Sequence, residues 1–257
     1  MKVAFIFPAF VSEYIGNEVQ IMNALSNKFQ ENLKKASVTS GVDFEQFHLE
    51  NTAFTKDELR VQIISYIFSC SLSDELIARG IKPDILAGYS MGLYAALYTG
   101  GVITFEEGIH LIDRAYKISK SAIEGIDAGM GSIIGLKAQE IEEIIKKDHL
   151  EAEIANTNSI HSLLVTGRFE AVSSLLDMAR DAGALHVSKL NVSTPYHASL
   201  LKDTYKPFNE FIAKQIELKK SNYPILSSID QRIVAFPDDI QKELTGWPAL
   251  TKCYNLV

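Results

Sequence analysis

The chain has 257 residues, of which 25 are Lys or Arg and 32 are Asp or Glu, so its formal charge is −7. This acidic balance argues against a nucleic-acid-binding protein, which needs a basic footprint. Hydrophobic residues make up 47% and charged residues 22%, which excludes a disordered chain, and the length suits one large domain with or without a smaller insert.

Cysteine usage and hydropathy predict a cytoplasmic protein. Cys70 and Cys253 give neither a disulfide framework nor a metal-ligand spacing, so reduced thiols are expected. The longest apolar stretch, residues 63–72, is too short to span a bilayer and is interrupted by serines. The apolar first ten residues lack the pattern of a signal peptide, so we expect a buried strand there and no membrane segment.

Strands and helices alternate along the first half of the chain. Residues 3–7 predict a parallel-sheet strand that is covered on both faces, and residues 83–87 predict a second buried strand. Helices are predicted over residues 17–33, 57–79, 93–98 and 105–121. This alternation indicates an α/β fold around a parallel sheet.

The pattern changes after Gly125. The predicted elements are a strand at 132–136, a helix at 138–147, strands at 152–156 and 162–166, a helix at 169–182 and a strand at 185–190. The order βαββαβ fits a ferredoxin-like module of about seventy residues, inserted into the larger domain. The chain would enter this module through the loop 125–131. A strand at 224–229 and a helix at 237–244 are predicted after the module.

A glycine-flanked serine carries the strongest chemical signal. Gly88-Tyr-Ser90-Met-Gly92 follows a short apolar strand and runs directly into a helix. This is the nucleophile elbow, a tight turn that exposes a serine hydroxyl and allows no side chains at the flanking positions. The alternative is that Ser90 merely caps the helix, but one glycine would suffice for a cap.

A serine nucleophile needs a base, and His197 is the best-placed histidine. It ends the loop that leaves the last strand of the insert and re-enters the large domain, and loops at such junctions line clefts. The other histidines, in surface-like contexts or in the insert, are His48, His110, His149, His161 and His186. No metal site is predicted, because H-E-x-x-H and C-x-x-C are absent, and Gly129-Met-Gly131 precedes a strand and so is no dinucleotide-binding loop.

Four motifs recur in a known order. They read Gly88-Tyr-Ser-Met-Gly-Leu-Tyr-Ala-Ala-Leu97, Gly101-Val-Ile-Thr-Phe-Glu106, Ala155-Asn-Thr-Asn-Ser159 and Asn191-Val-Ser-Thr-Pro-Tyr-His197. On these motifs, and over roughly residues 1 to 240, the chain resembles the malonyl-CoA:acyl-carrier-protein transacylase family, which includes the acyltransferase domains of fatty acid and polyketide synthases. The family patterns are G-H-S-x-G before E-Y-A-A-L, G-V-x-x-F-E, A-N-x-N-S and N-V-S-x-P-x-H.

The resemblance implies an α/β-hydrolase-like catalytic domain, residues 1–126 and 196–257, and a ferredoxin-like subdomain, residues 127–195. It also implies a ping-pong acyl transfer without a cofactor. Ser90 attacks the thioester of an acyl-CoA, malonyl by family default, and His197 accepts its proton. The phosphopantetheine thiol of an acyl carrier protein then takes the acyl group. In the family a backbone carbonyl, and no side-chain acid, orients the histidine.

The resemblance assigns further residues to the site. The backbone N–H groups of Met91 and Phe10 would form the oxyanion hole. Gln62 falls where the family has a pocket glutamine, and Asn158 matches the second asparagine of the insert motif. The column of the carboxylate-binding arginine falls on Ala115, with Arg114 one residue earlier.

Three departures from the family leave the function open. Besides the arginine column, the N-terminal F-P-G-Q-G loop reads Phe7-Pro-Ala-Phe-Val11, and the late Q-L-x-x-P-V-x-W segment is reduced to Leu244-Thr-Gly-Trp-Pro248. The alternatives are a non-malonyl acyltransferase, an acyl hydrolase and a non-catalytic module that docks a carrier protein. An ordinary α/β-hydrolase is the competing fold, and it predicts no βαββαβ insert. The acyl group, the carrier protein and the oligomeric state are not specified by the sequence.

Overall fold

The computed structural model describes residues 2–9, 20–21, 24–47 and 56–246. Its strands are β1 (Ala4–Phe7), β2 (Ile85–Gly88), β3 (Ala128–Ile134), β4 (Ala152–Ser159), β5 (Ser162–Arg168), β6 (His186–Lys189), β7 (Ile225–Leu226) and β8 (Ile233–Val234). Its helices are α1 (Ser26–Ser40), α2 (Glu58–Ala78), α3 (Gly92–Thr99), α4 (Phe105–Ala122), α5 (Ala138–Lys147), α6 (Phe169–Asp181), α7 (Tyr205–Gln215) and α8 (Pro237–Gly246), with a 3-10 helix over Ser199–Thr204.

The described chain divides into two compact units. One comprises the described residues up to 116 together with 211–227 and 232–242, and the other comprises 117–210, 228–231 and 243–246. The predicted insert, residues 127–195, lies wholly inside the second unit. Helices with a sheet in each unit make this an α/β protein, as the alternation of strands and helices predicts.

The first unit is built around a mixed sheet with the strand order β1-β2-β7-β8. The first two pairings, β1 with β2 and β2 with β7, are parallel, whereas β8 runs antiparallel to β7. The prediction that strand 3–7 is covered on both faces is wrong. Phe5 and Phe7 are buried, but Ile6 is 59% exposed, because β1 borders β2 on one side and turns alternate side chains outward.

Helix α2 forms much of the core of the first unit. It begins at the predicted position, where the Asp57 carboxylate accepts the Arg60 N–H, and it ends just before Gly80, whose φ is 85°. By length and composition α2 could cross a membrane, yet half of its apolar window is buried inside the protein, as in a core helix. Cys70 on this helix is a buried free thiol whose pKa is raised well above its usual value by burial, and Cys253 lies outside the described residues.

The second unit contains a four-stranded antiparallel sheet in the order β4-β5-β3-β6. Along the chain its elements follow the order β3-α5-β4-β5-α6-β6. Buried side chains of the sheet, among them Ile133, Leu163 and Val165, pack with Ile141 of α5 and Leu175 of α6. Both helices are amphipathic and bury their apolar faces on this sheet.

Residues 129–131 belong to strand β3 and not to a loop before it. The glycines suggest a loop, but here they let a helix approach the sheet. A Cβ on Gly131 would meet the Leu176 Cδ2 atom of α6 at 2.8 Å. The entry to the antiparallel sheet is therefore shorter than the predicted 125–131 segment.

Other boundaries differ from the predictions by a few residues. Helix α1 runs to Ser40, seven residues past its predicted end, because Gly41 with φ 73° is the residue that ends it. Residues 17–19 and Met22 of that predicted helix lie outside the described part. The strand predicted over 224–229 contains only Ile225 and Leu226. Sequence patterns give no bounds for the 3-10 helix and α7, which follow His197.

Candidate active site

Ser90 lies in a sharp turn between strand β2 and helix α3. Its φ of 52° is in the left-handed region, which a residue with a side chain adopts at a cost of about 1–3 kcal/mol. The turn is closed by two backbone hydrogen bonds, Gly92 N–H to Tyr89 O at 2.9 Å and Leu93 N–H to Ser90 O at 3.0 Å. This backbone is strained at the residue that the sequence singles out as a nucleophile.

The two glycines that flank the turn are required by contacts with backbone atoms. A Cβ on Gly88 would overlap the backbone of Leu93, and one on Gly92 would overlap the carbonyl oxygens of Phe7 and Pro8. The Tyr89 N–H donates to Phe7 O at 2.9 Å, so the turn is built directly against the end of β1. The alternative in which Ser90 caps α3 does not describe this turn, because the cap position is Met91 and no side-chain cap bond forms there.

The Met91 N–H lies at the start of α3, where helix N–H groups carry partial positive charge. Within the described part of the chain no acceptor takes up this N–H. It can therefore donate to an oxygen that develops negative charge beside Ser90. Phe10, the other predicted oxyanion residue, lies outside the described residues.

The candidate pocket residues of the first unit are on helices α2 and α4. Gln62 is a buried polar side chain in the first half of α2. On α4, Ala115 is buried, whereas Arg114 is exposed and its guanidinium carbon lies 5.8 Å from the centre of the Phe211 ring. Adjacent residues on a helix point about 100° apart, so the Arg114 side chain does not point in the direction of Ala115. The buried position that matches the arginine column therefore carries a methyl group.

Two carboxylates lie near the residue that follows Ala115. The pKa of the Tyr116 hydroxyl is raised by partial burial and then by the nearby carboxylates of Glu58 and Asp57. Glu58 is four residues before Gln62, so the two side chains lie on the same face of α2. The Arg60 guanidinium lies beside Asp57, with its Nε 3.6 Å from a carboxylate oxygen, so the charge near Tyr116 is mixed.

His197 lies in the second unit, in the loop between β6 and the 3-10 helix. It also adopts a left-handed backbone, with φ 61°. Two tight backbone bonds flank it, Tyr196 N–H to Thr194 O at 2.8 Å and Ala198 N–H to Pro195 O at 3.2 Å. His197 is half-buried, so part of the residue is accessible.

Side chains from elsewhere in the second unit hold this loop on both sides of His197. The Lys120 ammonium donates to Ser193 Oγ at 2.6 Å, and one Glu153 oxygen accepts both the N–H and the hydroxyl of Ser199 at 2.7 Å. No sequence pattern marks Lys120, Ser193, Glu153 or Ser199 as part of the site. The partners are 73 and 46 residues apart along the chain, and no short motif signals such contacts.

Asn158 lies on strand β4, in a part of the strand that is irregular. Its side-chain oxygen accepts a hydrogen bond of 3.0 Å from the amide of Asn156, which is buried. The register of β4 against β5 shifts between Ile154 and Asn156 and again between Thr157 and Ser159. Such irregularities re-aim side chains, and they are frequent beside functional sites.

The remaining histidines that the structure describes are exposed. His161 is in the turn between β4 and β5, where its carbonyl oxygen accepts the Gly135 N–H at 2.8 Å. The others are His110 on α4, His149 after α5 and His186 at the start of β6. His48 lies outside the described residues.

Comparison with known proteins identifies the family. The model of the acyl transferase domain matches residues 24–243. The chain belongs to the acyl transferase domain family. The resemblance drawn from the four motifs is thereby confirmed, and the protein is an acyltransferase-type enzyme.

Relatives of this acyltransferase include two proteins from Bacillus species. It is 24% identical over 254 residues to the malonyl CoA-acyl carrier protein transacylase of Bacillus subtilis. The alignment covers 95% of this chain and 77% of that protein. It is 26% identical to the polyketide biosynthesis malonyl CoA-acyl carrier protein transacylase BaeC of Bacillus velezensis, over 90% of this chain and 78% of that protein.

Solved structures share the fold of this acyltransferase. A malonyl CoA-acyl carrier protein transacylase from Coxiella burnetii superposes with a TM-score of 0.84 and 27% identity, covering 98% of this chain and 80% of that one. A malonyl-transacylase in complex with its type II polyketide acyl carrier protein gives a TM-score of 0.87 at 24% identity, with coverages of 98% and 82%. At 24% identity, the similarity to this second structure establishes the fold alone.

Proposed function

We propose that this protein transfers an acyl group from CoA to the phosphopantetheine thiol of an acyl carrier protein through an acyl-Ser90 intermediate. The observation that carries the proposal is the turn at Ser90, which has a φ of 52° and two glycines that backbone contacts require, and which comes directly before the start of α3. Relatives named malonyl CoA-acyl carrier protein transacylase support it, as does a related transacylase that was solved with its carrier protein.

In the first half of the reaction, Ser90 Oγ attacks the thioester carbon and its proton passes to His197. The Met91 N–H, together with that of Phe10, stabilises the oxyanion of the tetrahedral intermediate. This intermediate collapses to acyl-Ser90, and CoA leaves as a thiol after taking the proton from His197. In the second half, the carrier thiol gives its proton to His197 and attacks the ester, which regenerates the Ser90 hydroxyl.

The acyl group divides the proposal into two candidates. Malonyl is the group that the names of the relatives give. A neutral acyl group is favoured by the buried methyl group of Ala115 in the arginine column. A carboxylate that enters such a pocket without a cationic partner loses its hydration without compensation. Gln62, Asn158 and Arg114 remain the proposed substrate-binding residues.

We also propose a domain architecture and a cellular location for the protein. The strand order β4-β5-β3-β6 and the βαββαβ order of elements support a ferredoxin-like subdomain at 127–195, with an α/β-hydrolase-like domain formed by residues 1–126 and 196–257. We also propose that the protein acts in the cytoplasm, that acyl-CoA and acyl carrier protein are its partners, and that the reaction needs no cofactor.

Intact-protein mass spectrometry tests the proposal directly. Wild type, Ser90→Ala and the surface control Ser174→Ala are each mixed with malonyl-CoA and with acetyl-CoA. We expect wild type and Ser174→Ala to gain the mass of one acyl group and Ser90→Ala to gain none. Adding a holo-acyl carrier protein should then remove the acyl group and load the carrier.

Two results would contradict the proposal. Loading of Ser90→Ala at the wild-type level would end the assignment of the nucleophile. Loss of the acyl group to water at the same rate with and without the carrier protein would identify an acyl hydrolase.

A further inference from the structure

Glu153 on strand β4 accepts two hydrogen bonds from Ser199, which is two residues past His197. One carboxylate oxygen takes the Ser199 backbone N–H and the Ser199 hydroxyl, each at 2.7 Å. Bonds of this length to an ionised acceptor are the strong, charge-assisted kind. They join the sheet of the second unit to the segment that carries His197.

The acceptor also lies at the start of a helical segment. Ser199 is the first residue of the 3-10 helix, so its N–H has no partner within the helix. The side chain of Ala198, at the cap position, has no polar atom that could accept this N–H. The Glu153 carboxylate therefore does for this helix what a capping side chain usually does, from a position 46 residues away.

The loop is fixed before His197 as well. Leu190 N–H donates to Met130 O at 3.0 Å at the end of β6, and Lys120 donates to Ser193 Oγ at 2.6 Å. The Glu153–Ser199 contact completes this arrangement on the far side of His197. A histidine with φ 61° keeps that conformation when its surroundings impose it.

We propose that Glu153 is a positioning residue for His197. By holding Ser199, it fixes the backbone at His197 and keeps the imidazole where it can take the proton of Ser90. Glu153 acts through the loop and does not touch substrate. The inference rests on the proposed function, because it assumes that His197 is the base.

The test compares Glu153→Ala, Glu153→Gln and Ser199→Ala with a matched control, Glu142→Gln, which changes an exposed glutamate on α5. Two rates are measured for each variant. One is the phosphonylation of Ser90 by a fluorophosphonate, which depends on the base but not on recognition of CoA. The other is acyl loading from acyl-CoA, with kcat and KM separated. Thermal unfolding reports the folded fraction.

We expect Glu153→Ala to lower both the phosphonylation rate and kcat about tenfold, since misplacement of a catalytic group by an ångström costs up to about a hundredfold. KM should stay close to wild type, and the melting temperature should fall by only a few degrees, the usual effect of losing a capping side chain. Glu153→Gln keeps an acceptor oxygen and should retain about a third of the rate. Ser199→Ala keeps the backbone N–H and should also be intermediate, and the Glu153→Ala/Ser199→Ala double variant should be no slower than Glu153→Ala.

The inference is overturned if folded Glu153→Ala matches wild type within twofold, or if the loss appears in KM with kcat unchanged. If Glu153→Ala does not fold, Glu153→Gln and Ser199→Ala decide by the same criteria. A wild type that is phosphonylated at Ser90 but loads no acyl-CoA overturns the proposed function, while the phosphonylation rates still judge Glu153. Absence of phosphonylation in wild type overturns both.

Discussion

The serine turn of the first unit and the histidine loop of the second reach a similar local conformation by different means. Both hold a residue with a side chain at a positive φ, 52° at Ser90 and 61° at His197. Backbone contacts fix the serine turn, which packs Gly92 against the carbonyl oxygens of Phe7 and Pro8. Side-chain hydrogen bonds from Lys120 and Glu153 hold the histidine loop. The first device can be recognised from five consecutive residues and the second cannot.

Removal of the His197 imidazole should have the largest effect on the rate of acyl transfer among the changes in the histidine loop. His197→Ala is expected to slow formation of acyl-Ser90 by about 10²–10⁴-fold, the usual contribution of a positioned base. Stopped-flow or quenched-flow loading from acyl-CoA measures it. His161→Ala, which changes an exposed histidine of the same unit, is the control and should stay within twofold of wild type. A result in which the two variants exchange these outcomes would make His161 the base.

Ala115, in the first unit, should determine which acyl group the protein prefers. A guanidinium that pairs with a carboxylate contributes about 1.5–3 kcal/mol, or about ten- to hundredfold in binding. We expect wild type to prefer acetyl over malonyl and Ala115→Arg to shift the preference towards malonyl by that factor. Ratios of loading rates for malonyl-CoA and acetyl-CoA give the answer.

Arg114→Ala is the matched variant for the acyl group. If wild type prefers malonyl and Arg114→Ala removes that preference while acetyl loading is unchanged, Arg114 pairs with the carboxylate. A malonyl preference that survives Arg114→Ala would contradict both versions, and another cationic group would have to be sought.

The backbone packing of the serine turn predicts a large difference between two glycine substitutions. Gly92→Ala forces a Cβ against two carbonyl oxygens and should destabilise the fold by about 1–3 kcal/mol, with loss of phosphonylation at Ser90. Gly129→Ala in the second unit places its Cβ 3.5 Å from the Phe169 Cδ2 atom, an ordinary contact, and should change stability by less than about 1 kcal/mol. Urea unfolding midpoints measure both, and equal midpoints would show that the turn can relax.

The smallest expected effect concerns the start of α4, the helix that carries Ala115. Glu107 accepts the Thr104 N–H at 2.7 Å and the Glu217 N–H at 3.1 Å, and its own N–H donates to Thr104 Oγ1 at 3.1 Å. Partial burial acts to raise the pKa of Glu107, but these bonds and the charge of Lys219 outweigh it, so the pKa lies below its usual value. Gln keeps an acceptor oxygen but loses the charge at the start of the helix, so Glu107→Gln should lower the free energy of unfolding by about 0.3–1 kcal/mol at pH 7.

The sign of this pKa shift fixes the pH dependence. A carboxyl group with a lowered pKa in the folded state stabilises the protein above its unfolded pKa, and that contribution is lost as the pH falls through the folded value. The difference in unfolding free energy between wild type and Glu107→Gln should therefore shrink as the pH is lowered from 5 through the acid range. A difference that grows towards acid pH would contradict the assignment.

Local signals in the sequence account for what could be predicted. Asp57 and Gly80 mark the ends of α2, and Gly88 and Gly92 mark the serine turn, because capping and steric exclusion act between near neighbours. The prediction that Gly131 belongs to a loop is wrong, because the contact that requires a glycine there comes from Leu176, which is distant in sequence. Glu153 was missed for the same kind of reason, because its partner Ser199 becomes a neighbour after folding.

The parallel pairing of β1 with β2 has a consequence for how the protein folds. It joins the two strands across a long connection that contains α1 and α2, and Val3 N–H donates to Asp84 Oδ2 over a separation of 81 residues. Closing such a loop is slow in comparison with forming a helix or a hairpin. Gly92 can pack against the backbone of Phe7 only after β1 and β2 have paired. We therefore expect the turn at Ser90 to form late in folding. Recovery of a reactive serine during refolding therefore reports completion of the sheet, and it should lag behind the appearance of helical structure.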